Sequence, residues 1–109
     1  MAFEVLERSL EMVAAVRRPY ALVRLRDRDL ADQIKRAANS APANIAEGAG
    51  RVGKDRAHHY RVAAGSALEL ETHLRLALIW DYAKPDDVKA ALDLCVRVCA
   101  MLSRLAPLR

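Results

Sequence analysis

The sequence predicts an all-α protein, an antiparallel up-and-down four-helix bundle. Three observations carry that expectation. The 109 residues are 53% hydrophobic but only 5% aromatic, so the core is filled mainly by Ala, Leu and Val, a composition that suits closely approaching helices better than sheets. Apolar residues recur three and four positions apart along four segments. The breaks between these segments are short, as expected where neighbouring helices run antiparallel. No repeat or linker divides the chain, so residues 1–109 are expected to form one domain. A chain of 12.1 kDa buries roughly two thirds of its unfolded surface, about 11,000 Å².

The first helix starts near Phe3, with Leu6, Leu10, Val13 and either Val16 or Arg17 as its apolar stripe and Glu4, Glu7 and Glu11 near its positive N-terminal end. Pro19 is expected to kink or break it, since proline lacks the N–H and clashes with the preceding turn. "YALVRL" (20–25) can continue beyond that point. "RLRDRD" (24–29) is the first turn, with Asp27 or Asp29 as N-cap.

Helix two runs from about Leu30 through Ile34, Ala37 or Ala38, Ala41 and Ile45. Gly48, Gly50 and Gly53 then mark its end and a turn. Helix three begins at Lys54 or Asp55 and carries the most regular stripe, Tyr60, Ala63, Ala67, Leu70, Leu74 and Ala77. "DYAKPDD" (81–87) is the third turn, with Pro85 in the first turn of helix four and Asp86 and Asp87 at its start. Val88, Leu92, Cys95 or Val96, Cys99 and Leu102 or Leu105 form the last stripe, and Pro107 ends it. Val5, Val23, Leu94 and Val98 fall off these stripes, a surplus that predicts a homo-oligomer.

Catalysis finds little support. "GAGRVGK" (48–54) has the glycine and lysine spacing of a phosphate-binding loop, but Asp55 replaces the magnesium-binding Ser or Thr and no strand precedes it. Glu69 and His73 lack a second such pair on another helix, and adjacent His58 and His59 diverge by about 100°. No metal and no cofactor are therefore expected. Cys95 and Cys99 lie in an apolar stripe with nothing to activate them. Glu47 lacks an acid partner or cavity, and Glu47 and Glu69 are read as structural, pairing with a base or capping a helix. Gly65 and Ser66 are read as small residues that let helices approach. No catalytic residue is assigned.

Charge points elsewhere. Residues 17–61 hold eleven Lys or Arg against five Asp or Glu, a balance of +6, whereas residues 62–109 are neutral. This asymmetry predicts an anionic partner, RNA or DNA, met by Arg17, Arg18, Arg24, Arg26, Arg28, Lys35, Arg36, Arg51, Lys54, Arg56 and Arg61. The alternative is a scaffold that binds an acidic protein. Glu4, Glu7 and Arg8 interrupt any leader-like apolar run, and no apolar run is long enough to span a membrane. The pattern predicts a cytoplasmic protein with no membrane partner.

"QIKRAANSAPANIAEGAGR" (33–51) followed by "YRVAAGSALELETHLRLA" (60–77) closely resembles a bacterial four-helix-bundle family. Its members include proteins encoded in intervening sequences of large-subunit ribosomal RNA genes. A related branch supplies the accessory variability protein of diversity-generating retroelements. The matching residues are Gln33, Arg36, Ala37, Ser40, Asn44, Ile45, Ala46, Glu47, Gly48, Arg51, Gly65, Ser66 and Glu69. The resemblance implies a ring of five subunits and, for the retroelement branch, contact with nucleic acid and a reverse transcriptase; it carries over no catalytic residue. "SAPANIAEGAGR" (40–51) is accordingly read as a helix end: Pro42 disturbs the hydrogen-bond ladder, Ser40 and Asn44 satisfy freed backbone groups, and Glu47 and Arg51 tie the end to a neighbour.

Overall fold

The structure, a computed structural model, describes residues 2–106. It contains α1 (Ala2–Arg24), α2 (Arg28–Ala49), α3 (Gly53–Ile79) and α4 (Pro85–Leu105), with no strand among the described residues. Each helix packs against the next, and α4 returns to α1, closing a four-helix bundle. The 27 residues of α3 span about 40 Å at 1.5 Å per residue, close to the 42 Å long axis of the molecule.

Local chemistry explains the boundaries. Asp27 caps α2, its side chain accepting from the Leu30 N–H at 2.9 Å. Gly53 has φ +59, a left-handed conformation that glycine adopts without penalty, and α3 begins there. Pro85 is the first residue of α4, and the Asp87 carboxylate accepts from the Lys84 N–H at 2.9 Å. Pro107 lies outside the described residues.

The stripes expected for α2 and α3 are buried as drawn. That of α1 is not. Its core face is Val5, Ser9, Met12, Val16, Pro19 and Val23, while Leu10 is exposed and Leu6 and Val13 are half-buried. Pro19 does not break α1; it sits inside the helix on its buried stripe. Val5, Val23 and Val98 are therefore core residues rather than surplus, and Leu94 is half-buried against the core. In α4 the core takes Val88, Ala91, Cys95, Val98 and Leu102, leaving Val96 and Leu105 exposed. The large apolar residues left exposed among the described residues are Phe3, Leu10, Leu25, Val52, Val62, Leu68, Leu76, Ile79, Trp80, Val96 and Leu105.

Candidate nucleic-acid interface

The resemblance-bearing residues form a polar bridge between α2 and α3. Ser66 donates its hydroxyl to Ser40 Oγ at 2.8 Å, and Asn44 Nδ2 donates to the Ser40 hydroxyl and carbonyl oxygens at 3.2 and 3.0 Å. Asn44 Oδ1 lies 3.1 Å from His59 Nδ1. Further along, Arg51 bonds Glu47 at 2.7 Å and Asp55 at 2.7 Å, spanning the α2–α3 turn. These two carboxylates hold the guanidinium pKa above its ordinary value, Glu47 contributing most. Glu47 thus pairs with a base, as expected, but it is half-exposed. Pro42 leaves the Ala38 carbonyl without its N–H donor, whereas Asn44 serves the Ser40 carbonyl. Gln33 and Arg36 lie outside the bridge, half-buried and exposed.

The tight approach falls at Gly48, not Gly65. A Cβ on Gly48 would lie 2.8 Å from the Tyr60 ring, while at Gly65 it would meet nothing within 4 Å. Gly48 is buried in a helix beneath Tyr60, which removes it from any phosphate-binding loop. Ser66 is buried as expected. Glu69 pairs with His73 at 3.1 Å.

All eleven candidate basic residues are exposed. The fold separates them into two groups. Arg17, Arg18, Arg24, Arg26, Arg28, Lys35 and Arg36 gather around the α1–α2 turn, and Arg51, Lys54, Arg56 and Arg61 around the α2–α3 turn. The 22 residues of α2 put about 33 Å between these turns. Two members are neutralised within the chain: Arg51, and Arg18, which bonds Asp87 at 2.7 Å. Asp87 lies below the usual carboxylate range because it accepts first from the Lys84 N–H and then from Arg18. Arg56 donates to the Gly48 carbonyl at 3.3 Å. The other candidates form no ion pair among the described residues.

Sequence reasoning missed the aromatic residues at the first of these ends. Just beyond α3, Asp81 takes φ 61, with the Tyr82 N–H bonding the Ala77 carbonyl at 2.9 Å and the Asp81 N–H bonding the Leu78 carbonyl. This reversal sets the Trp80 and Tyr82 rings nearly parallel, with centroids 6.4 Å apart and an interplanar angle of 16°. The Arg26 guanidinium lies 5.6 Å from the Tyr82 ring centroid. Trp80 is 63% exposed. The only signal in the sequence is a lone tryptophan entering a turn.

No group of three His, Cys, Asp or Glu suited to a metal occurs among the described residues. Cys95 and Cys99 are free thiols. Burial pushes Cys95 up to about 12 and Cys99 in the same direction, the opposite of an activated nucleophile. No helix among the described residues is long and apolar enough to cross a membrane.

No curated protein matches the chain. A solved structure from Bacteroides thetaiotaomicron, a protein of unknown function from the S23 ribosomal protein family, superposes with a TM-score of 0.85. It is 20% identical, and the match covers 95% of this chain and 99% of that one, a likeness in fold. Residues 1–104 match the family model described as the 23S rRNA-intervening sequence protein. The chain belongs to the 23S rRNA-intervening sequence protein family.

Proposed function

We propose that this is a non-enzymatic, oligomeric binding protein that contacts RNA or DNA through its exposed cations, as an accessory to a nucleic-acid enzyme such as a reverse transcriptase. The observation that carries the reading is the set of exposed basic residues without intramolecular acids, above all Arg24, Arg26 and Arg28 around one turn. Three of the neighbouring carboxylates are already engaged: Asp27 caps α2, Asp81 pairs with Lys84 at 3.1 Å and Asp87 pairs with Arg18, while Asp29 and Asp86 stay exposed. Cations left free in this way serve phosphates well. The family's link to ribosomal RNA genes accords with such a partner.

Self-assembly has support on the outer faces, where Leu10, Leu68 and Val96 remain exposed. A ring of five, as the resemblance implies, would repeat both basic ends on each subunit and add weak contacts through effective concentration. Light scattering at micromolar concentration tests this part; a monomer refutes it. Gel retardation tests the other. Wild-type protein should retard RNA or DNA at 50 mM salt and lose most binding by about 200 mM, as condensed counterions are released. Reversing Arg24, Arg26 and Arg28 to Glu should weaken retardation and leave helicity intact. No retardation at low salt would hand the function to an acidic protein partner.

A further inference from the structure

The α1–α2 and α3–α4 turns meet at one end of the bundle and bring together groups far apart in sequence. Trp80 stacks near-parallel on Tyr82, and Arg26 from the other turn covers the Tyr82 ring. Most of the indole faces solvent although it is the largest side chain in the protein. Burial would suit an indole better, so its exposure calls for a partner. Leu25 and Ile79, 82% and 77% exposed, lie in the same two turns.

We infer that the Trp80–Tyr82–Arg26 array is a stacking platform for an unpaired base of single-stranded nucleic acid. The inference rests on the nucleic-acid reading above and narrows it to single strands. An indole already braced on one side needs little ordering before a flat partner stacks on it, and every base offers such a face. Arg26 and its neighbours Arg24 and Arg28 form no ion pair among the described residues, which leaves guanidinium groups beside the platform for the adjoining phosphates. Asp29 and Asp86 are exposed at this end and temper its charge. Electrostatic attraction supplies binding here, and stacking adds the selectivity for single strands. Bases inside a duplex cannot use the platform, since they are paired and stacked on one another.

Trp80 is the sole tryptophan, so its fluorescence reports on this site alone. The full chain is titrated at 50 mM salt with a 12-nucleotide single-stranded RNA of mixed sequence, the corresponding duplex, and inorganic polyphosphate. The single strand should quench Trp80 saturably; the duplex and polyphosphate should not. Trp80→Leu should weaken single-strand binding in a retardation assay by about 5- to 150-fold, the scale of one lost stack, with duplex binding and helicity unchanged. Tyr82→Leu should weaken it in the same direction. If the single strand binds without quenching and Trp80→Leu binds as tightly as wild type, the platform is wrong while the nucleic-acid reading stands. If no nucleic acid binds at all, both fall. A blue shift of Trp80 emission that grows with protein concentration alone, and is unaffected by the single strand, would assign the patch to a second copy of the chain and overturn the inference.

Discussion

Replacing Gly48 and Gly65 by alanine, one at a time, should shift stability in opposite directions. At Gly48 the new methyl would sit 2.8 and 2.9 Å from two Tyr60 ring carbons and 3.1 Å from His59 Cβ. Carbon atoms rest at about 3.5–4.0 Å, so the ring must retreat by more than about half an ångström. Tyr60 is 3% exposed, on the buried stripe of α3, and cannot simply swing into water. Overpacking of this kind costs about 1–3 kcal/mol. The gain in helix propensity is at most about 1 kcal/mol and shrinks at Gly48, next to the last residue of α2. Gly48→Ala should therefore be destabilised by about 1 kcal/mol or more. At Gly65 nothing lies within 4 Å, so the helix gain of about 0.8–1 kcal/mol should appear in full. The pair should differ by about 2 kcal/mol, on the order of 10 °C in Tm for a chain this size. Urea unfolding followed by circular dichroism, at one protein concentration so that assembly does not intrude, measures the difference. Equal midpoints for the two variants would refute the close contact between α2 and α3 at Gly48.

Glu47→Gln should cost less than about 1 kcal/mol, and the loss should shrink in high salt, because the Glu47–Arg51 pair is half-exposed; urea midpoints at two ionic strengths check it. Asp81→Gly should stabilise by about 0.5–1 kcal/mol, since glycine holds φ 61 without the Cβ penalty and only an exposed pair with Lys84 is lost; thermal melts read the shift. Native protein should react slowly with iodoacetamide at pH 8, and denatured protein fast, because burial raises both thiols. The unfolded Cys95 loses its proton near 9.0 while the folded one holds it to about 12, so its contribution to stability is complete below pH 9 and fades between pH 9 and 12. Cys95→Ala should flatten that alkaline decline in a pH series of urea midpoints.

Helix α2 was legible because it carries one apolar face against a polar remainder, and α3 because its buried stripe keeps a regular three-and-four spacing although Val62, Leu68, Leu76 and Ile79 lie outside it. Helix α1 has apolar residues on two faces, and the true core face contains Ser9. A serine in a stripe reads as polar, which favours Leu6, Leu10 and Val13. In the fold, Ser9 donates its hydroxyl to the Leu6 carbonyl at 2.8 Å, satisfying itself locally and packing as a small core residue. The roles of Gly48 and Gly65 could not be ordered from sequence, since only the facing helix decides which one is crowded. Trp80 escaped notice for a related reason: an exposed aromatic in a turn belongs to no periodic stripe. The basic residues were legible singly, but their division between two ends required the bundle's topology.

The polar bridge between α2 and α3 also bears on how the chain reaches its fold. Its links join residues 15 and 26 apart, Asn44 with His59 and Ser40 with Ser66, whereas the Arg18–Asp87 link between α1 and α4 spans 69. Closing the longer loop costs about 1.4 kcal/mol more than closing the 15-residue one in chain entropy. The α2–α3 hairpin can thus form before α1 and α4 meet. In the folding transition state, substitutions at Asn44 or Ser66 should slow folding, while those at Met12 or Val98 should mainly speed unfolding, as α1 and α4 dock onto a hairpin already in place.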